Sequence, residues 1–472
     1  MNKRRGTDRV EQPTRRRRRR RAGGRIAVVC AVLAALALSA CGSGTSTAKP
    51  SSTTSGATTP TDTSLGAGVT KDSIRLGIAL VDFECIKQYT DSIRLNQQPV
   101  WEAYIKDIND KGGIAGRKID PVFKSYCPLT NQEILTYCTA FTQDDNVFAV
   151  MGTFIDFSGD AQTCIAKQQK RLLVTFDLTQ AIMDRSPAGY IVTPGTIPER
   201  GVDILLSLAK KEGTLEGKKV AVLGDTNVKS IIEGTIEPGL KNLGVELGST
   251  AVLAISGGDT TQPQAQLDSF IEKWKTEGVN AIFMSGNYAS AKQFVEKIRD
   301  RMPDVTLLAD TTNTLAQAQQ EQTAGKKPNP YEGLITAGGL TAAESDASPN
   351  WKFCADIYEQ QLNKKAPSRQ ETIKSADGKN IIDNWGTASD ACQLLWFFHD
   401  IGDRVGQYLN NNNWVNTVNT FGDITNRTTG PYSSLHEGKY SAEDNWRLQA
   451  YDSSIGDDGD WKPLTDIQNI SS

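Results

Sequence analysis

"AYIKDINDKGGIAGRKI", residues 103–119, carries a helix exit and a strand entry back to back. Gly112 and Gly113 stop a helix where positive φ is needed. Gly116 turns the chain into the next strand, "KIDPVFKSY" (118–126). On its own this pattern also fits a glycine-rich helix exit of any α/β protein. The order of the flanking segments decides.

Upstream, "SIRLGIALVD" (73–82) reads as a strand and 96–111 as a helix. Downstream come a helix near 130–143, the strand "VFAVMG" (147–152), a helix near 158–169 and the strand "RLLVTF" (171–176). After "GYIVTPG" (189–195) and the helix "PERGVDILLSLAKKEG", a second series begins. Its strands are "KKVAVLGD" (218–225), "GSTAVLAI" (248–255), "VNAIFMSG" (279–286) and "VTLLAD" (305–310), with helices between them. Short apolar runs alternating with helices imply parallel sheets covered on both faces. Two such series imply two doubly wound units. The third part is more helical (350–363, 380–405), then loop-rich, and ends on the strand "NWRLQAYD" (445–452).

The 472 residues suffice for two or three cored domains. Charge is uneven. Of 52 basic and 55 acidic residues, residues 1–25 hold 12 and 2, leaving 40 and 53 for the rest. An acidic body argues against nucleic acid as a partner. The basic block, including Arg15–Arg21, precedes the apolar run Ile26–Ala40, which is too short for a membrane span of ~20 residues. This is the layout of a secretory signal over residues 1–40. Leu38-Ser39-Ala40-Cys41 resembles a bacterial lipobox, which implies cleavage before Cys41 and a diacylglyceryl group on its sulfur. Residues 41–70, rich in Ser, Thr, Gly and Pro, read as a tether. The expectation is a protein lipid-anchored on the extracytoplasmic face of the bacterial membrane. Cys30 lies in the signal. Cys85, Cys127, Cys138, Cys164, Cys354 and Cys392 remain, an even set for disulfides with fifteen possible pairings. No Cys-x-x-Cys spacing points to a metal.

The run Ile108-Asn109-x-x-Gly112-Gly113-Ile114-x-Gly116 resembles type I periplasmic solute-binding proteins of the leucine/isoleucine/valine branch that serves ABC importers. The element order is similar from residue 72 to about 460. The resemblance implies an α/β clamshell of two doubly wound parallel-sheet lobes joined by hinge crossovers, a Venus-flytrap closing on a small ligand. It places lobe 1 in 71–193 and 331–445 and lobe 2 in 194–330 and 446–472. The strand order it implies favours Cys85–Cys127, Cys138–Cys164 and Cys354–Cys392.

In open parallel sheets ligands sit beyond the C-terminal ends of strands. That selects Asp82, Phe83, Phe154, Asp156, Phe157, Ser158, Asp177 and Thr179 from the first series. From the second it selects Asp225, Thr226, Asn227, Asn287, Tyr288, Asp310 and Thr311. In amino-acid-binding relatives the loop after the third strand is Ser/Thr-rich and, with the helix N-terminus behind it, grips the ligand's carboxylate. Here that loop is "GTFIDFSG" (152–159), with Asp156 where serine is expected. A carboxylate there repels an anionic ligand. The ligand expected is cationic, zwitterionic with unusual docking, or neutral and hydroxyl-rich. The other reading of these aspartates is as helix caps.

Catalysis finds little support. The two histidines, His399 and His436, lie away from strand ends, and no Gly-x-Ser-x-Gly or Walker loop occurs. The function expected is a monomeric solute-binding subunit, without cofactor or metal, that presents its cargo to ABC permease subunits. A sensor built on the same clamshell and an extracytoplasmic hydrolase are the alternatives.

Overall fold

The computed structural model describes residues 62–90, 92–156, 158–254, 261–310, 314–325 and 327–471. The signal segment, Cys41 and the tether up to residue 61 lie outside the described residues, as do Phe157, Thr311 and the side chain of Asn287.

Among the described residues a five-stranded parallel sheet runs in the order Lys118–Tyr126, Ser73–Val81, Ala149–Gly152, Leu172–Thr175, Ile191–Val192. The inner strands are buried on both faces, which is why they read as unbroken apolar runs. Helix Gln97–Asp110 lays Val100, Trp101, Tyr104, Ile105 and Ile108 on this sheet. It ends at Gly112 and Gly113, both at positive φ. A Cβ on Gly113 would stand 1.9 Å from the Arg117 carbonyl oxygen, so only glycine makes this exit.

The second sheet takes Glu246–Leu247, Lys219–Asp225, Ala281–Met284, Thr306–Ala309 and Ile335–Gly338 in parallel. Asn445–Asp452 and Asp460–Pro463 continue it antiparallel. The strand Ile335–Gly338 corrects the expected lobe boundary. It pairs with Leu308 and with Ala450, and Tyr331 and Leu334 pack in the second sheet's core. Residues 331–338 thus belong with the second sheet, and the chain returns to the first only after Gly338.

Residues 351–442 contribute the rest of the first core. Helix Asn384–Val405 buries Leu394, Leu395, Phe397 and Phe398 against that sheet, is capped by Asp383 and carries Asp390 two turns in. The disulfides are Cys85–Cys127, Cys138–Cys164 and Cys354–Cys392; the last joins helix Pro349–Leu362 to helix Asn384–Val405.

Between the sheets, Thr193 donates to the Tyr440 carbonyl and accepts from the Ala442 amide, both at 2.9 Å, and Glu443 donates to the Gly195 carbonyl. Next to this crossing Asp444 is buried. It accepts from Arg200 (2.8 Å) and the Ser434 hydroxyl (2.6 Å), and Lys439 lies 3.1 Å from it. Among the described residues no helix is long and apolar enough to cross a membrane.

Candidate functional site

The strand ends of the first sheet sort into caps, core and crevice. Asp82 caps helix Phe83–Ile86 by accepting from the Glu84 amide at 3.0 Å, and Phe83 packs on the core below it. Thr179 caps helix Gln180–Asp184 through the Ile182 amide. Phe154 was expected to face a ligand and does not. Its amide is tied to the Asp177 carboxylate (2.8 Å), and its ring is 1% exposed among Val81, Tyr126 and Ile165. The turn that directs it inward begins at Gly152, at φ 123, where a Cβ would lie 2.1 Å from the Ala79 carbonyl oxygen.

Asp156 is also buried, and its carboxylate is already used. Oδ1 accepts from the Ser158 amide (3.0 Å) and hydroxyl (2.6 Å), and Oδ2 from the Ala161 amide (2.8 Å). It therefore closes its own loop onto the start of helix Asp160–Thr163, which is the cap reading.

Asp177 is the first-sheet residue that stays half-buried with charged company. Desolvation pushes its carboxyl above the ordinary range, the Phe154 amide pulls it down, the Asp390 charge raises it and Arg94 lowers it. Arg94 lies between Asp383 (3.1 Å) and Asp390. Burial opposes its charge, but Asp390 and Asp383 outweigh that and raise its pKa. Asp390 is itself raised, by desolvation first. Three carboxylates thus share one guanidinium.

On the second sheet, Asp310 accepts from the Ser285 hydroxyl (2.6 Å) and the Gly286 amide (2.9 Å). Desolvation still pushes its carboxyl up to about 6, helped by the Asp225 charge. Asp225 is buried, accepts from the Asn227 amide (2.8 Å), and is raised by desolvation. Thr226 and Asn227 are exposed. Tyr288 packs its ring on Phe294, centroids 5.3 Å apart.

Where the sheets meet, Glu443 is pushed up to about 7 by desolvation, against the pull of Arg200 and Arg369. Arg369 feels Asp460 of the second sheet, Asp383 at the helix over the first sheet, Asp346 and Glu443. Asp177, Asp310, Arg369, Asp390 and Glu443 share one property: each is half-buried, yet desolvation is the largest influence on its pKa. Each is thus reachable by solvent while mostly enclosed by protein. Among the described residues no three His, Cys, Asp or Glu side chains group as a metal site would.

Asp177, Asp225 and Asp310 are legible in the sequence because they end strands; the charged neighbours Arg94, Arg369, Asp383, Asp390 and Glu443 are not. They come from loops and a helix start far apart in the chain. The available signal was Asp383, Asn384, Thr387, Ser389 and Asp390 at the opening of an otherwise apolar helix.

Solved structures of solute-binding proteins share this fold. That of a fatty acid ABC transporter substrate-binding protein from Thermomonospora curvata aligns with TM-score 0.60 at 16% identity, covering 86% of this chain and 95% of that one. A leucine binding protein from Thermotoga maritima MSB8 aligns with TM-score 0.59 at 15% identity, covering 84% and 99%. An ABC transporter solute binding protein from Rhodopseudomonas palustris BisB5, in complex with 3,4-dihydroxy benzoic acid, aligns with TM-score 0.58 at 15% identity, covering 85% and 98%. Among curated proteins none matches the sequence. A family model described as periplasmic binding protein matches residues 100–372, more than half of the sequence. Two facing parallel-sheet units, the strand order of each and this match lead to one conclusion: the chain belongs to the periplasmic binding protein family.

Proposed function

We propose that this chain is the lipid-anchored, extracytoplasmic solute-binding component of an ABC importer, and that its cargo is a small molecule bearing a positive charge. Cys41 is the attachment point in this reading, and the importer's permease subunits receive the closed form. Output is a difference in affinity between open and closed states, so no covalent step is required.

One observation carries the ligand class. Asp156 fills, with its own carboxylate, the amides at the loop that amino-acid-binding relatives use for a ligand carboxylate. Among the described residues half-buried Asp310 has no cation beside it, and Asp177 and Asp390 have only Arg94, which Asp383 also holds; burial raises the pKa of all three. An incoming ammonium or guanidinium supplies the missing positive partner.

Calorimetry of the full chain against primary amines, simple carboxylates and polyols tests this. Amines are expected to bind, and simple carboxylates to bind only after Asp156→Ser. Because Asp310 must be ionised to attract a cation, amine affinity is expected to be full above pH 7 and to fall as pH drops through about 6. Tight binding of a simple carboxylate by the unaltered chain, unchanged in Asp156→Ser, would overturn the reading.

A further inference from the structure

The asparagine run 410–413 has a use that the cargo site does not explain. Asn410 caps helix Asn411–Asn419 by accepting from the Asn413 amide at 2.9 Å. Its Nδ2 donates away from the helix, to the Asp62 carbonyl at 3.3 Å and the Ser64 carbonyl at 2.9 Å. Asn413 Nδ2 donates to the same Asp62 carbonyl at 2.7 Å, and Asn412 Nδ2 to the Asp62 carboxylate at 3.1 Å. Asn410 and Asn413 are each 5% exposed. Further along the segment, buried Arg117 donates from Nε to the Thr70 carbonyl at 2.7 Å and from Nη2 to the Gln407 carbonyl at 2.8 Å. The segment fits the surface it lies on. The Gly66 amide donates to the Leu409 carbonyl at 2.9 Å, and a Cβ on Gly66 would stand 2.6 Å from the Phe148 ring. Buried amides and a buried guanidinium are costly unless carbonyls answer them, and here residues 62–70 supply those carbonyls.

Its place in the fold gives this contact a meaning. Arg117 and Phe148 each stand one position before a first-sheet strand, Lys118–Tyr126 and Ala149–Gly152. Asn411 reaches the Lys170 carbonyl at 2.7 Å, just before strand Leu172–Thr175. The segment therefore crosses the start of the first sheet, and Asp82 and Asp177 stand past the opposite ends of its strands. Cys41 stands 21 positions upstream of Asp62.

We infer that Asn410, Asn412, Asn413 and Arg117 form a docking site for the chain's own residues 62–70, and that this site moors the first-sheet unit as the one held next to the membrane. The mooring rests on the Cys41 anchor proposed above; the dock does not.

The test has two arms, both on the full lipidated chain. Hydrogen exchange reads the dock. The Gly66 amide is expected to be protected in wild type and to exchange about tenfold or more faster in Asn410→Asp, which keeps the cap oxygen but sets a carboxylate against two carbonyls. Gly66→Leu, crowded off Phe148, is expected to raise exchange at Val69 in the same way. Met151 in the sheet core is the control for folding. An unprotected Gly66 amide in wild type, or one that Asn410→Asp leaves unmoved, overturns the dock. Should Asn410→Asp unfold, with Met151 exposed too, wild-type protection and Gly66→Leu still decide.

Fluorescence quenching reads the mooring. The chain is placed in phosphatidylcholine vesicles carrying a headgroup quencher, with a label on Asn416→Cys beside the dock or on Glu246→Cys of the second sheet, both exposed positions. Quenching at the first is expected to exceed that at the second about twofold or more, since a linker's reach grows only as the square root of its length. Equal quenching, or more at Glu246→Cys, overturns the mooring and leaves the anchor reading standing. No association with the vesicles overturns both.

Discussion

Asp444→Ala is expected to cost the fold about 3–5 kcal/mol, the penalty of breaking a buried ion pair from one side. The cause is local and specific. Asp444 is 1% exposed and holds Arg200 and Lys439, themselves largely buried. Without it two cations lose their counter-ion and the Ser434 hydroxyl its acceptor. Arg200 also donates to the Glu443 and Ile470 carbonyls, so it cannot leave without breaking the crossing between sheets. Lys439 has an escape. Burial already brings its pKa down to about 8, and with Asp444 gone it falls further and sheds its proton. The variant's deficit should therefore be largest below pH 8 and smaller above it. Urea unfolding of wild type and variant at pH 6.5 and pH 9 measures both. A loss under 1 kcal/mol, equal at the two pH values, would show that this network does not hold the junction.

Arg94→Met is expected to be nearly as damaging at neutral pH, about 3 kcal/mol, but with the opposite pH dependence. Here the orphaned groups are acids. Asp383 and Asp390 lose their shared cation, and Asp177 loses a charge that lowers its pKa. The folded variant then binds more protons than its unfolded chain, so its stability falls as pH rises above the ordinary carboxylate range. The deficit against wild type should be greatest near pH 7.5 and shrink toward pH 4. Melting curves across that range give the sign directly. A deficit that grows toward acid would mean that Arg94 is not compensating these carboxylates.

The fold was legible because its strands are continuous apolar runs punctuated by glycines. The bounds Lys118–Tyr126 and Asn445–Asp452 could be read directly. The return to the first sheet was misplaced because Ile335–Gly338 is only four residues long, and its partners, Leu308 and Ala450, lie on either side in sequence. The site was half legible. A strand end can be located from sequence; which way its side chain turns cannot. Phe154 turns inward because its amide answers Asp177, and Asp156 turns onto Ala161, both settled by short-range hydrogen bonds. Of the two readings open for Asp156, ligand-facing and cap, its hydrogen bonds follow the cap. Arg94 and Asp390 stand 296 positions apart, and no local pattern reports such a pair.

The central claim is that one positively charged solute is held between both sheets at once. Titrating the tightest-binding amine or amino acid into the full chain, Asp177→Asn and Asp310→Asn at pH 7.5 tests it most directly. The account predicts that each substitution, one on each side of the crevice, weakens binding about tenfold or more. Wild-type affinity in either variant would contradict it.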